Sequence, residues 1–267
     1  MKKWAIGGAL LGAFIALIVF APATWLATLL RDTTGERLLL SDARGTVWRG
    51  SALLVLTGGP DSHSASALPG RLYWRLGLDG AAIGLRAQQD CCIDGELRLR
   101  LIPGIGRMRL ELPGDAAQPR TRPIGHWPAS WLVGLGTPWN TLQPSGTLQL
   151  SSPGLMLEQV QGRWRFSGQA VIELQSIASR VSTLPELGSY RVLIQGDANA
   201  GDAASLQLNT TSGALQLNGS GQWSGLAGSK LRFNGQASAA PGFEAALSNL
   251  LNIIGRRQGA VSVISIG

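Results

Sequence analysis

Few residues in this chain are of types that carry out covalent or metal chemistry. Its two histidines are His63, in a Ser-rich stretch, and His126, just ahead of Trp127. Neither stands at ligand spacing from a second donor, so no metal site is expected. The only cysteines, Cys91 and Cys92, are neighbours. A trans peptide holds adjacent Cα atoms about 3.8 Å apart, below the usual disulfide range. The pair therefore reads as two small thiols beside a strand turn, with a strained vicinal bridge as the alternative. Asp90, Asp94 and Glu96 crowd the same stretch. Paired carboxylates can do acid and base work, but no histidine stands near them in sequence, so they read as solvated turn charges. Asn218-Gly219-Ser220-Gly221 lacks the first glycine of a nucleophile elbow, and Gly104-Ile105-Gly106 meets Arg109 where a dinucleotide loop needs its third glycine. No catalytic residue, cofactor site or metal is expected, and the chain is read as a non-enzyme.

The elements that would have to position any site are strands. Gly95-Glu96-Leu97-Arg98-Leu99-Arg100-Leu101 and Gly106-Arg107-Met108-Arg109-Leu110-Glu111-Leu112 alternate apolar and charged residues without a break. Period two of this kind makes a half-buried antiparallel strand. Similar blocks recur at Gly146–Leu150, Ala204–Leu208, Gly213–Leu217 and Lys230–Phe233, and Asp79-Gly80, Asn218-Gly219 and Asn234-Gly235 read as turns. With 36 glycines and 13 prolines, the composition favours many short strands over a helical bundle. Two short helices are expected, at Pro128–Gly134 and at Phe243–Ile254, the second with apolar spacing of three and four and a stop at Gly255.

Pro22-Ala23-Thr24-Trp25-Leu26 reappears as Pro128-Ala129-Ser130-Trp131-Leu132, and Gly45-Thr46-Val47-Trp48-Arg49-Gly50 has a later counterpart in Gly162-Arg163-Trp164-Arg165-Phe166-Ser167-Gly168. The order is preserved, which suggests two related halves. The expected fold is mainly β: an N-terminal transmembrane helix, then an antiparallel β-meander in an open, curled or groove-like sheet with a few short helices. The expected divisions are 1–31, tip and anchor; 32–122, first β half; and 123–267, second β half with a C-terminal helix and closing strand.

From Trp4 to Leu30 no residue is charged. The 21 steps from Trp4 to Trp25 cover about 32 Å as a helix, close to the roughly 30 Å hydrocarbon core. Lys2, Lys3 and Trp4 at one end, with Trp25 and Arg31 at the other, read as membrane-anchor flanks, with the N-terminus cytoplasmic by the positive-inside rule. The rival is a cleaved signal peptide at Ala21-Pro22-Ala23. Outside Lys2, Lys3 and Arg31 the net charge of +7 falls to +4 with no long basic run, so nucleic acid is not an expected partner. Charged residues make up 15% and hydrophobic residues 45% of the chain, which excludes a disordered protein.

Gly45–Ala52, Leu68-Pro69-Gly70-Arg71-Leu72-Tyr73-Trp74, and Trp127–Leu132 running into Gly134-Leu135-Gly136-Thr137-Pro138-Trp139-Asn140-Thr141-Leu142 together resemble protein N of the type II secretion system. Ser179–Leu184, Leu187–Arg191 and Asn249–Arg257 add to the resemblance. It implies a bitopic inner-membrane protein with its bulk in the periplasm, a partner of other inner-membrane components or of the periplasmic part of the secretin, and no catalytic residue. Within that frame the apolar strand at Val261, Val263, Ile264 and Ile266 is the candidate for edge pairing with a partner. The alternatives are a membrane-anchored lipid-handling β-groove protein and, less well matched by the sparse aromatics, an outer-membrane barrel.

Overall fold

The computed structural model describes residues 2–114, 122–160, 163–196, 203–224 and 230–267. Gly162 of the second repeat block lies outside them.

The spanning helix expected from Trp4 to Trp25 is not formed as one piece. α1 (Lys2–Val19) ends before Pro22, and α2 (Ala23–Thr33) begins after it. Proline has no N–H to continue the helical ladder and drives the residue before it towards extended backbone. Pro22 is itself extended (φ −70°, ψ 147°) and bridges to Thr46. The 18 residues of α1 cover about 27 Å, and among the described residues no helix is long and apolar enough to cross a membrane. The break is held from outside. Trp48 Nε1 donates to the Ile18 carbonyl at 2.8 Å and Val47 N–H to the Ala21 carbonyl at 2.8 Å. α2 is amphipathic and turns Ala23, Leu26, Ala27 and Leu30 onto the sheet. α1 keeps its aliphatic side chains bare, with Leu10 at 67% exposure and Phe14 at 59%.

The remainder is one antiparallel sheet of 16 strands. The first run is β1 (Leu38–Gly45), β2 (Arg49–Thr57), β3 (Ala65–Ala67), β4 (Leu72–Asp79), β5 (Ala82–Gln88), β6 (Leu97–Gly104) and β7 (Arg107–Leu112). β8 (Arg122–Pro128), a 3₁₀ helix (Ala129–Leu135) and α3 (Trp139–Leu142) follow. The second run is β9 (Pro144–Val160), β10 (Arg163–Ser179), β11 (Gly188–Gly196), β12 (Ala203–Ser212), β13 (Leu215–Ser224) and β14 (Lys230–Ala239), after which come α4 (Glu244–Ile254), β15 (Arg256–Gln258) and β16 (Val261–Ile266). Neighbours in sequence are neighbours in the sheet, with three departures: β3 sits off the path beside β2, β8 fills the space beyond β7 along β9, and β16 lies between β14 and β15. The sheet ends on β1 and on β15, and it runs unbroken across the expected division at 122/123 through the β7–β9 and β8–β9 ladders. Pro22 and Pro128 stand at the same point of their halves. Each is extended, each precedes an alanine that is 1% exposed, and each helical entry leads into a meander of strands.

β9 and β10 are 17 residues each, longer than any strand the alternation predicts. An extra residue in β9 opposite Gln169–Val171 explains how so long a ladder keeps one apolar face. Leu148 and Leu150 pair with Leu174 and Ile172, whereas Leu155 and Leu157 pair with Gly168 and Phe166. Without the bulge the second pair of leucines would point to the other side. Buried Ser152 fixes it: its Oγ donates to the Gln169 carbonyl at 2.6 Å and accepts the Gly154 N–H at 2.9 Å.

Two of the expected turns are strand interior instead. Asn218-Gly219 lies in β13 opposite β14, where Gly219 pairs with Gly235 and Asn218 with Gln236. The glycines are required by an aromatic ring: a Cβ on Gly219 would meet Phe233 Cζ at 2.3 Å. Phe233 thus covers a patch of bare backbone that would otherwise weaken both strands.

α4 closes the second half of the sheet. Leu247 and Leu251 are fully buried and Leu250 nearly so, packed with Leu187, Tyr190 and Leu215. Ser262 Oγ donates to the Leu251 carbonyl at 2.6 Å and ties the helix to β16. Tyr190 donates its O–H to the Leu215 carbonyl, and burial with nearby Glu186 pushes its phenol well above the usual range. Leu251→Ala is expected to cost about 2–5 kcal/mol in denaturant unfolding, because the cavity cannot collapse against three neighbouring strands. Leu78→Ala, at a position 85% exposed, should stay within about 0.5 kcal/mol.

Candidate functional site

The helices cover the sheet unevenly, and the gap between them is the main surface feature. Down the first half, inward leucines meet across successive strands: Leu85 with Leu99, Leu101 with Leu110, Leu110 with Leu157 and Leu112 with Leu155. In a closed sandwich such residues would be fully buried, yet here they are only partly so. All of them but Leu101 line a cavity of about 560 Å³. Leu26 and Leu30 of α2 wall it at one side, and Phe166 and Trp223 at another, their rings edge to face at 6.2 Å. The lining is aliphatic and aromatic with one exception, Gln89.

Gln89 follows β5, and its side chain is 2% exposed. Its Nε2 donates to the Pro69 carbonyl at 3.3 Å, while Oε1 is buried without a hydrogen-bond partner. A buried acceptor left unpaired costs free energy, so this atom stands out in an otherwise apolar wall.

The opposite face of the same strands is charged. Arg49 lies directly across from Arg75, Arg75 from Arg86, and Arg86 from Arg98. Four guanidinium groups thus form a row over β2, β4, β5 and β6, and like charges directly opposed are unfavourable. Arg98 pairs with Glu96 at 2.9 Å, but Arg49, Arg75 and Arg86 have no carboxylate partner among the described residues. A polar cleft of about 770 Å³ follows the row and is also lined by Asp90 and Glu96. Beside it Asp42, at a bulge in β1 with left-handed φ of 49°, receives Arg44 and Arg71. Those two guanidinium groups hold its carboxyl below the usual range. Arg71 also donates from Nε to Ser51 Oγ at 3.1 Å, locking β1 to β2.

The residues singled out from sequence fall in separate places. Lys2, Lys3 and Trp4 head α1, and their side chains lie outside the described ones. Trp25, 51% exposed, and Arg31, paired with Glu36, belong to α2 rather than to the far end of one long helix. Cys91 and Cys92 are joined in a vicinal disulfide, the alternative that spacing made unfavourable. The surrounding turn is stitched down by Cys92 N–H and Ile93 N–H to the Gln89 carbonyl and by His126 N–H to the Cys92 carbonyl. His126 Nδ1 stands 3.0 Å from Asp94 Oδ1, a pairing across 32 residues that local spacing could not reveal. Among the described residues no group of three His, Cys, Asp or Glu side chains converges as a metal site would need. Val261 and Val263 lie between β14 and the short β15, while Ile264 and Ile266 extend past β15 with β14 as their only strand neighbour among the described residues. Gln89 and the arginine row were not singled out. The signal for the row was present in the alternating arginines, but their mutual register depends on loop lengths.

A single open sheet of antiparallel strands, with an apolar trough on one face and a basic row on the other, defines a protein that presents surfaces. The chain belongs to the family described as type II secretion system (T2SS), protein N, whose model matches residues 36–264. The family is a component of a secretion system, and the match covers the whole sheet except the last two residues of β16 while leaving out α1 and α2. No curated protein and no solved structure matches the chain.

Opposed arginines predict their own relief. Arg75→Thr should raise stability by about 0.2–1 kcal/mol at low ionic strength. The gain, read from thermal melts, should shrink as salt screens the row.

Proposed function

We propose that the chain is a non-enzymatic, membrane-attached part of the type II secretion apparatus that assists export of folded proteins through contacts of its sheet in the periplasm. Its partners are other inner-membrane components of the apparatus or the periplasmic part of the secretin. Family membership supports the pathway. Exposed, apolar α1, headed by Lys2 and Lys3, supports attachment to the inner membrane.

The observation that carries the contact mode is the open end of the sheet. Gln258 pairs with Val261 around the two-residue Gly259–Ala260 turn, and β15 stops opposite Val263. In a two-residue hairpin the closing residues exchange backbone hydrogen bonds, so positions 261, 263 and 265 aim their N–H and C=O groups away from β14. At Ser265 no strand among the described residues receives them. An extended segment of a partner can add there as a further strand, with backbone hydrogen bonds supplying affinity.

Val263 is held by strands on both sides, so a proline there would damage the fold. Ser265→Pro removes an outward N–H at a position where edge proline is tolerated. It should leave the melting temperature of the full chain near the parent's and abolish co-purification of type II secretion components from solubilised membranes. If proline lowers the melt, Ile266→Arg tests the same edge. Undiminished co-purification with a folded variant overturns the edge mode.

A further inference from the structure

The trough demands an occupant, and four features constrain its chemistry. Its wall is hydrocarbon, built from Leu97, Leu99, Leu110, Leu112, Leu155 and Leu157 among others. Its volume of about 560 Å³ falls within the roughly 300–1,000 Å³ of sites that enclose small organic ligands. A void with this lining repels water, so an empty trough would leave the leucines without contacts on one side. Within that wall sits one acceptor without a donor, Gln89 Oε1. Finally, α2, which supplies Leu26 and Leu30 to the wall, follows directly on the bare apolar α1, and Trp48 and Val47 clamp the junction to the sheet.

These features discriminate among occupants. An extended peptide laid on the leucines would bury backbone N–H and C=O groups with no partners in the wall. A helix satisfies its own backbone beyond its first turn, so it offers Gln89 no donor from within. A hydrocarbon chain needs no polar partner, and a polar head on that chain can bring an O–H or N–H to Gln89. α2 at the trough's wall follows directly on exposed, apolar α1, which links the trough to the phase where such molecules reside.

We propose that the trough binds a membrane glycerophospholipid, with one hydrocarbon chain along the leucines of β6, β7 and β9 and a headgroup O–H or N–H donating to Gln89 Oε1. The site is separate from the sheet edge and from the arginine row. It does not rest on the secretion role: lipid binding can fail while edge pairing holds, and the reverse.

The test places a photo-crosslinking benzophenone residue in the full chain at Leu99 or Leu157, inside the trough, or at Arg98 on the opposite face. Each protein is reconstituted into phosphatidylethanolamine–phosphatidylglycerol vesicles with a radiolabelled phosphatidylethanolamine tracer. Lipid adducts are expected at Leu99 and Leu157, with labelling at Arg98 at background. Phosphatidylethanolamine, whose head carries N–H donors, should outcompete phosphatidylcholine, whose head has none, by about threefold to tenfold, the worth of one net hydrogen bond. Gln89→Leu should remove that preference and keep the adduct. Leu99→Arg, a second variant, should abolish labelling at Leu157. Equal labelling of both faces, adducts to a peptide of this or another chain instead of lipid, or an unchanged head preference in Gln89→Leu overturns the proposal.

Discussion

The structure depends on one extra residue in β9. Two amphipathic meanders of opposite sense can share a sheet only if their apolar positions fall on one side, and the period of two makes any slip by one residue fatal to that agreement. The bulge at Ser152–Gly154 shifts the alternation between Leu150 and Leu155, so the leucines that continue β7 and those that face α4 point the same way. Ser152 is among the few buried polar residues, and its hydroxyl is committed on both sides of the bulge. Pro153 next to it fits a strand only where the ladder is interrupted.

From that agreement follows the division of labour across the sheet. One apolar face needs cover along its whole length, but the two longest helices packed on it, α2 and α4, cover only part of it. α4 buries three leucines over β10 to β14, and α2 shields Leu40, Ala52 and Trp74 near β1. The stretch between them stays open as the trough. The outer face carries the arginine row, whose directly opposed like charges are unfavourable. The two ends of the sheet remain as edges, since among the described residues no strand returns to close it. Surfaces of three different chemistries are therefore carried by a single layer.

Much of the fold is legible in the sequence, because alternation in stretches such as Leu97–Leu101 and Arg107–Leu112 is a direct imprint of a one-sided sheet. The helix at Glu244–Ile254 is legible too, since its apolar spacing and its stop at Gly255 are local signals. What escapes is non-local. Pro22 is legible as the place where the first helix ends, but hydropathy does not register that a second helix follows at once or that Trp48 and Val47 capture the break. Asn-Gly at 218 and 234 signals a turn by composition, whereas Phe233 makes both pairs strand interior. The trough and the arginine row depend on register between strands, and the orphan acceptor of Gln89 depends on burial, so no motif could announce them.

The central claim is one unbroken sheet, open at both ends, and backbone hydrogen exchange of the full chain in its membrane environment tests it most directly. Slow exchange in β7 and in Leu155–Val160, matching β10 and β11, together with fast exchange at Ser265 and along the outer side of β1, is the expected pattern. Fast exchange at the β7–β9 junction would mean two separate sheets. Protection at both edges without a partner present would mean a closed barrel. Either result contradicts the account.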